Sequence, residues 1–241
     1  MLKQKGKVMD DYFYSESLKE NIELLIYLPP SYSPLYTYNI LFTQDGRDYF
    51  NLGRIARIAD ELHQTSQMDQ TIIIGIPYKN LNDRKQKYHP SGTKHRAYIR
   101  FLAHELIGYI DTCYPTYQLG STRALIGDSL AGTVSLLTAL AYPHTFGKVI
   151  LQSPYVDQQV IESVKQFDKQ SLLELYHVIG TEETNVKTTD GIEENFFSRN
   201  KELASLLKSN NYNVFYDEFC GNHTWTYWQP DLKRALTMMF N

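Results

Sequence analysis

The sequence predicts an α/β fold: a mostly parallel, twisted central sheet of about eight strands, opened by an antiparallel hairpin and covered by helices on both faces. Three observations predict it. Short runs rich in β-branched residues, such as 39–43 and 71–77, read as strands buried on both faces. Between them Leu52, Ile55, Ala56, Ile58 and Leu62 recur at helical spacing. The same alternation, with single helices and short loops, runs to the C-terminus and implies right-handed crossovers.

Taken in order, 8–28 alternates well enough for two antiparallel strands that turn around 17–21, and Pro29-Pro30 ends the second because neither residue can donate to a ladder. After the strand–helix–strand of 39–77, helical patterns are expected over 98–113, 130–142, 160–167, 197–208 and 230–240. Strands are expected over 123–126, 148–152, 173–179 and 214–219. Two polar stretches, 79–94 and 181–193, read as irregular, and loops of about 12 residues or more without structure of their own are often functional. The 19 tyrosines are expected as half-buried sheet and rim residues. No repeat or linker divides the 241 residues, which read as one domain, 1–241.

Composition excludes several partners. Lys+Arg 24 against Asp+Glu 27 leaves no basic excess for nucleic acid or an anionic membrane. Cys113 and Cys220 have no C-x-x-C spacing and read as reduced, buried or partly buried thiols. No apolar run is long enough for a membrane helix, and the charged start is followed by Asp10-Asp11-Tyr12 rather than the apolar stretch of a signal peptide. The expectation is a cytoplasmic protein without a cofactor or metal, with a homodimer left open.

The most informative residues are Gly127-Asp128-Ser129-Leu130-Ala131-Gly132, placed where the pattern switches from strand to helix. A serine there occupies a sharp turn that lifts its hydroxyl above the sheet, while the helix N-terminus offers amide donors to an oxyanion. The strict G-x-S-x-G pattern wants glycine at 131, where this chain has alanine followed by Gly132. Ser129 needs a base, and His223, after the last predicted strand and before the final helix, is the best placed histidine. His63, His104, His144 and His177 read as structural or surface residues.

With these motifs the chain resembles the branch of the α/β-hydrolases grouped as the Putative esterase family, which includes esterase D, feruloyl esterases, enterochelin-type esterases and mycolyltransferases. The resemblance runs from about Ile22 to the C-terminus through 42–46, 101–107, 127–132, 180–183 and 221–228. The usual family serine motif reads G-x-S-M-G-G, from which Leu130 and Ala131 depart.

A triad acid belongs on the loop after the strand that ends at Ile179. The resemblance points to Glu183, three residues after Gly180. In mycolyltransferases the acid lies later, which would select Glu194, and Glu182 and Asp190 stand on the same loop. Of the oxyanion amides, the residue after the nucleophile supplies Leu130, and the resemblance places the second at Arg47, after Asp45-Gly46.

Only 153–170 separates the strand ending near Gln152 from the next, so no cap domain is expected. The 79–94 stretch is the candidate cover of the site, with Tyr88, His89 and Pro90 as wall residues, joined by Tyr155 and the Trp225/Tyr227/Trp228 cluster. An open, aromatic-rimmed site suits short acyl or aryl esters, a siderophore lactone or an S-acyl thioester. An acyltransferase would share the triad, and a non-catalytic binding protein would share the fold.

Overall fold

The computed structural model describes residues 5–188 and 191–241. Its N-terminal hairpin is β1 (Lys7–Ser15) against β2 (Glu20–Leu28), with Lys7 opposite Leu28 and Ser15 opposite Glu20. The chain continues through β3 (Asn39–Gln44), α1 (Gly46–Asn51), α2 (Ile55–Gln64) and β4 (Thr71–Ile76). Next come α3 (Leu81–Tyr88) and one long helical rod, α4 (His95–Arg100), a π-helical turn at Phe101–Leu106, and α5 (Ile107–Cys113). The remainder is β5 (Arg123–Asp128), α6 (Leu130–Ala141), β6 (Lys148–Gln152), α7 (Gln158–Gln166) and β7 (Glu174–Gly180). A small hairpin, β8 (Val186–Lys187) and β9 (Glu193–Glu194), precedes α8 (Phe196–Ser209), β10 (Asn213–Phe219) and α9 (Trp225–Phe240).

Eight strands form one sheet in the order β1-β2-β4-β3-β5-β6-β7-β10, antiparallel at β1–β2 and β2–β4 and parallel elsewhere. From β3 the chain winds one way to β4, then returns to place β5 on the other side of β3. That reversal opens a crevice at the carboxyl ends of β3 and β5, where ligands bind in open α/β sheets.

Both faces of the sheet are covered, as the alternation of side chains along buried strands requires. Ile40, Phe42, Leu125 and Leu151 pack on one face with Phe101 and Val134, while Leu41, Ile73, Ile126 and Ile150 pack on the other with residues of α2 and α9. Fully burying one such Leu or Ile contributes about 1.5–3 kcal/mol. Helix α6 is buried all round from Leu130 to Ala139. Its Ser135 and Thr138 hydroxyls therefore bond to backbone carbonyls one turn back, Ala131 at 2.8 Å and Val134 at 2.7 Å.

Several expectations are corrected. Part of the 79–94 stretch is helical: Asn80 caps α3 by accepting from the Asp83 amide at 2.9 Å. The helix has almost no apolar periodicity to detect, because its buried face is ionic. Lys87 sits between Asp83 (2.8 Å) and Glu20 (2.6 Å), tying α3 to the hairpin turn. Burial raises the Glu20 carboxyl, but hydrogen bonds from Lys79 and Lys87 outweigh it and hold it at about 2. Helix α9 starts five residues before Pro230, which therefore lies inside it. The 181–193 stretch is not wholly irregular, since it contains β8 and the start of β9.

Many tyrosines are deep rather than half-buried. Tyr27, Tyr49, Tyr88, Tyr98 and Tyr176 are at most 1% exposed, and each hydroxyl has a partner: Asp60, Gln152, the Asp45 amide, Gln44 and Asp231. Both cysteines are exposed. No helix among the described residues is long and apolar enough to cross a membrane.

Candidate active site

Ser129 sits between the last residue of β5 and the first of α6 with φ 51° and ψ −127°, a backbone that L-residues rarely adopt. Close approach of strand and helix forces it. A Cβ on Gly127 would lie 2.2 Å from the carbonyl carbon of Ala131, and one on Gly132 would lie 2.9 Å from the carbonyl oxygen of Gly127. The steric demand therefore falls on 127 and 132, which explains why alanine is accepted at 131. The turn is pinned by the Ser129 amide donating to Gln152 O (3.1 Å) and the Tyr155 amide donating to Ser129 O (3.1 Å). The Thr133 hydroxyl adds a bond to Tyr155 O at 2.6 Å.

His223 lies in the short connection from β10 to α9, wedged edge-on between the rings of Phe196 (4.7 Å) and Trp228 (4.8 Å). Its Nδ1 is 2.6 Å from Oε2 of Glu183. Glu183 stands on the turn after β7 and is completely buried. Its other oxygen accepts from the Ser153 hydroxyl at 2.6 Å and the Gly180 amide at 2.9 Å, and Trp228 Nε1 donates to Ser153 Oγ at 3.0 Å. The hydrogen bonds from Trp228 through Ser153 to Glu183 fix both the Glu183 carboxylate and the ring that His223 packs against. Sequence reasoning missed Ser153; its one signal is a position just past the carboxyl end of β6, beside the crevice.

Ser153→Ala leaves the Glu183 oxygen and the Trp228 N–H one partner short each. It should lower stability by about 1–3 kcal/mol in chemical denaturation, with a reduced rather than abolished turnover.

Ser129 and His223 line one cavity of about 430 Å³. Leu130, Tyr155, Phe196 and Trp228 give it an apolar side, Arg84, Lys85 and His89 of the α3 region a cationic one, and Val186, Lys187, Thr188, Ile192 and Glu194 the wall from the β8–β9 segment. Arg84 is held by Asp45, with Nε 2.8 Å from Oδ2. Burial opposes the Arg84 charge and Asp45 more than offsets it. Asp128 is also on the wall, and burial, then the charge of Asp45, push its carboxyl up to about 8.

Of the other acids, Glu182 is exposed, with Cys220 Sγ 3.9 Å from its Oε1; Glu194 lies on the cavity wall; Asp190 lies outside the described residues. Cys220 and Arg47 are not among the residues on that wall. The Arg47 guanidinium instead pairs with Glu23 on β2 at 2.5 Å. Of the wall residues expected from 79–94, His89 is on the cavity, whereas Tyr88 is buried behind it against Tyr98. Trp228 and Tyr155 are on it; Trp225 packs on Tyr49 and Tyr227 on Phe219. His177 is a structural histidine: burial pulls it down to about 4, and Nε2 bonds to Asn200 at 2.7 Å. No group of three or more His, Cys, Asp or Glu among the described residues could hold a metal ion.

Residues 15–239 match the family model described as "Putative esterase". A Bacillus subtilis (strain 168) protein named "Uncharacterized protein YjcH" is 51% identical over 239 residues, 99% of this chain and 100% of that one. Among solved structures, a ferulic acid esterase aligns with a TM-score of 0.79 at 17% identity, covering 98% of each chain. The enterobactin esterase of Shigella flexneri, solved in the presence of enterobactin, aligns with a TM-score of 0.83 at 16% identity, over 97% of this chain and 58% of that one.

Proposed function

The chain belongs to the Putative esterase family of carboxylic ester hydrolases, and from that premise we propose that Ser129, His223 and Glu183 form its catalytic triad, acting on short acyl or aryl esters through an acyl-enzyme. The observation that carries this reading is the 2.6 Å contact of His223 Nδ1 with the buried Glu183, on the wall of the cavity that Ser129 enters. Glu183 holds the imidazole with its proton on Nδ1, so that Nε2 is free to take the proton from Ser129 Oγ as that oxygen attacks the ester carbonyl. The tetrahedral oxyanion is met by the Leu130 amide, one of the first-turn N–H groups of α6 without a partner inside the helix. For the second donor the resemblance keeps the Arg47 amide after the Asp45-Gly46 turn, although Arg47 is not among the residues on the cavity wall and its side chain is turned to Glu23. His223 then protonates the leaving alcohol, and a water activated the same way releases the acid.

The apolar side formed by Tyr155, Phe196 and Trp228 favours an aryl or short acyl group, and the 430 Å³ volume favours small substrates over long lipids. A siderophore lactone or an S-acyl thioester would use the same machinery, as would transfer of the acyl group to an alcohol other than water. In this proposal the chain acts in the cytoplasm as one domain without a cofactor, and contacts neither nucleic acid nor membrane. A fluorophosphonate probe tests the triad: it should label the wild type at Ser129 at neutral pH, and a wild type that stays unlabelled would refute the assignment.

A further inference from the structure

Asp128 is the ionisable side chain of the nucleophile turn that the triad does not employ. It is buried, and its Oδ1 has no hydrogen-bond partner among the described residues, an unusual state for a carboxylate out of water. Three carboxyl groups, those of Asp45, Asp48 and Asp128, gather around one guanidinium. Arg84 gives its Nε to both oxygens of Asp45 (3.0 and 2.8 Å) and brings Nη2 within 2.6 Å of Oδ2. Its Nη2 also donates to the Asp128 main-chain oxygen, 3.4 Å away. Asp48 has the Tyr78 hydroxyl at 3.3 Å.

The titratable and charged groups around Asp128 are Asp45, Asp48 and Tyr49 from the end of β3 and α1, and Arg84 and Tyr88 from α3. On the α9 side are His223, across the cavity, and Asp231, which shares the surroundings of Tyr49. Lys85, His89, Lys187 and Glu194 complete the cavity wall. Arg84 makes its short charged contacts with Asp45; its attraction for an Asp128 charge is outweighed by burial and by the charge of Asp45, so a carboxyl in that position keeps its proton.

We propose that Asp128 is a protonated carboxyl in the resting enzyme, that its neutrality keeps the electrostatic field beside Ser129 compatible with a developing oxyanion, and that loss of its proton to solvent switches acylation off. The proton assignment stands on the geometry of Asp128 alone; the effect on acylation rests on the esterase reading above. Burial and the neighbouring Asp45 place the transition on the alkaline side of neutrality, at about 8. A full negative charge next to the oxyanion should slow acylation by about tenfold or more.

The test compares wild type with Asp128→Asn, in which a neutral amide replaces the neutral acid, using two readouts. The first is stability against pH, which needs no activity. In the unfolded chain Asp128 ionises near 3.9, and in the folded one near 8, so between those values the wild type loses stability relative to the variant. The ratio of their folding constants should change by up to about tenfold per pH unit. Parallel stability curves across that range would overturn the proton assignment.

The second readout is the pH dependence of fluorophosphonate labelling at Ser129. The wild type should lose rate above about pH 8 and the variant should lack that fall; an identical fall in both overturns the switch. Divergent stability curves together with an unlabelled wild type would sink the esterase reading and leave the proton assignment standing. If Asp128→Asn does not fold, Asp48→Asn serves, since removing a like charge lowers the Asp128 pKa and should move the alkaline fall to lower pH. An unmoved fall there counts against the proposal.

Discussion

Ser129→Ala and His223→Ala should each lower kcat/KM for p-nitrophenyl butyrate by about 10⁴-fold or more, and the double variant should lose little beyond the worse of the two. The non-additivity is the informative part. Without Nε2 to take its proton, the Ser129 hydroxyl is a weak nucleophile at neutral pH; without the hydroxyl, the imidazole has nothing to activate. Both losses therefore remove one event. Alanine at 129 must adopt φ 51° and ψ −127°, as serine already does, so the fold should survive and near-ultraviolet circular dichroism should be unchanged. Multiplicative losses in the double variant would mean that the two residues act in separate steps.

The second large effect is expected from Glu183→Gln, about 10³–10⁴-fold in kcat with KM nearly unchanged. The direction follows from the donors around the carboxylate. Oε1 receives the Ser153 hydroxyl and the Gly180 amide, so a glutamine must turn its carbonyl oxygen to that side. Its NH₂ group then faces His223 Nδ1. A donor at that point forces Nδ1 to be the acceptor and puts the ring proton on Nε2, where the base is needed. Steady-state kinetics with the Ser129→Ala background subtracted checks this. Activity within tenfold of wild type would move the acid's role to another loop carboxylate, with Glu194 on the cavity wall first in line.

Much of this architecture is legible in the chain because it depends on local signals. Strands β3 and β4 read directly as β-branched runs, since each is covered on both faces. Ser129 is legible for a steric reason: glycines at 127 and 132 are needed where strand and helix backbones nearly touch. The position of His223 between the last strand and the last helix is equally local. What escaped the reading is held by pairings between distant residues. Helix α3 buries Lys87 through Glu20 and Asp83, an arrangement that looks like a polar loop until the hairpin turn is brought to it. The same holds for Ser153, which matters only because Trp228 and Glu183 arrive from elsewhere. The depth of the tyrosines is not a local signal either, because the partners that satisfy their hydroxyls, such as Asp60 and Asp231, lie far away in sequence.

The β8–β9 segment grows from the stretch that carries Glu183 and ends at Asn195, whose side chain caps α8. Both ends of this insert are anchored: the Phe197 amide donates to Glu183 O at 3.0 Å, and Asn195 Oδ1 accepts from the Ser198 amide at 2.8 Å. The described residues between are thus a cassette. They present Val186, Lys187, Thr188, Ile192 and Glu194 to the cavity while the acid is held from behind by Ser153 and Gly180. On the esterase reading, exchanging these wall residues should change which esters are turned over, while Ser153 and Gly180 keep Glu183 in place.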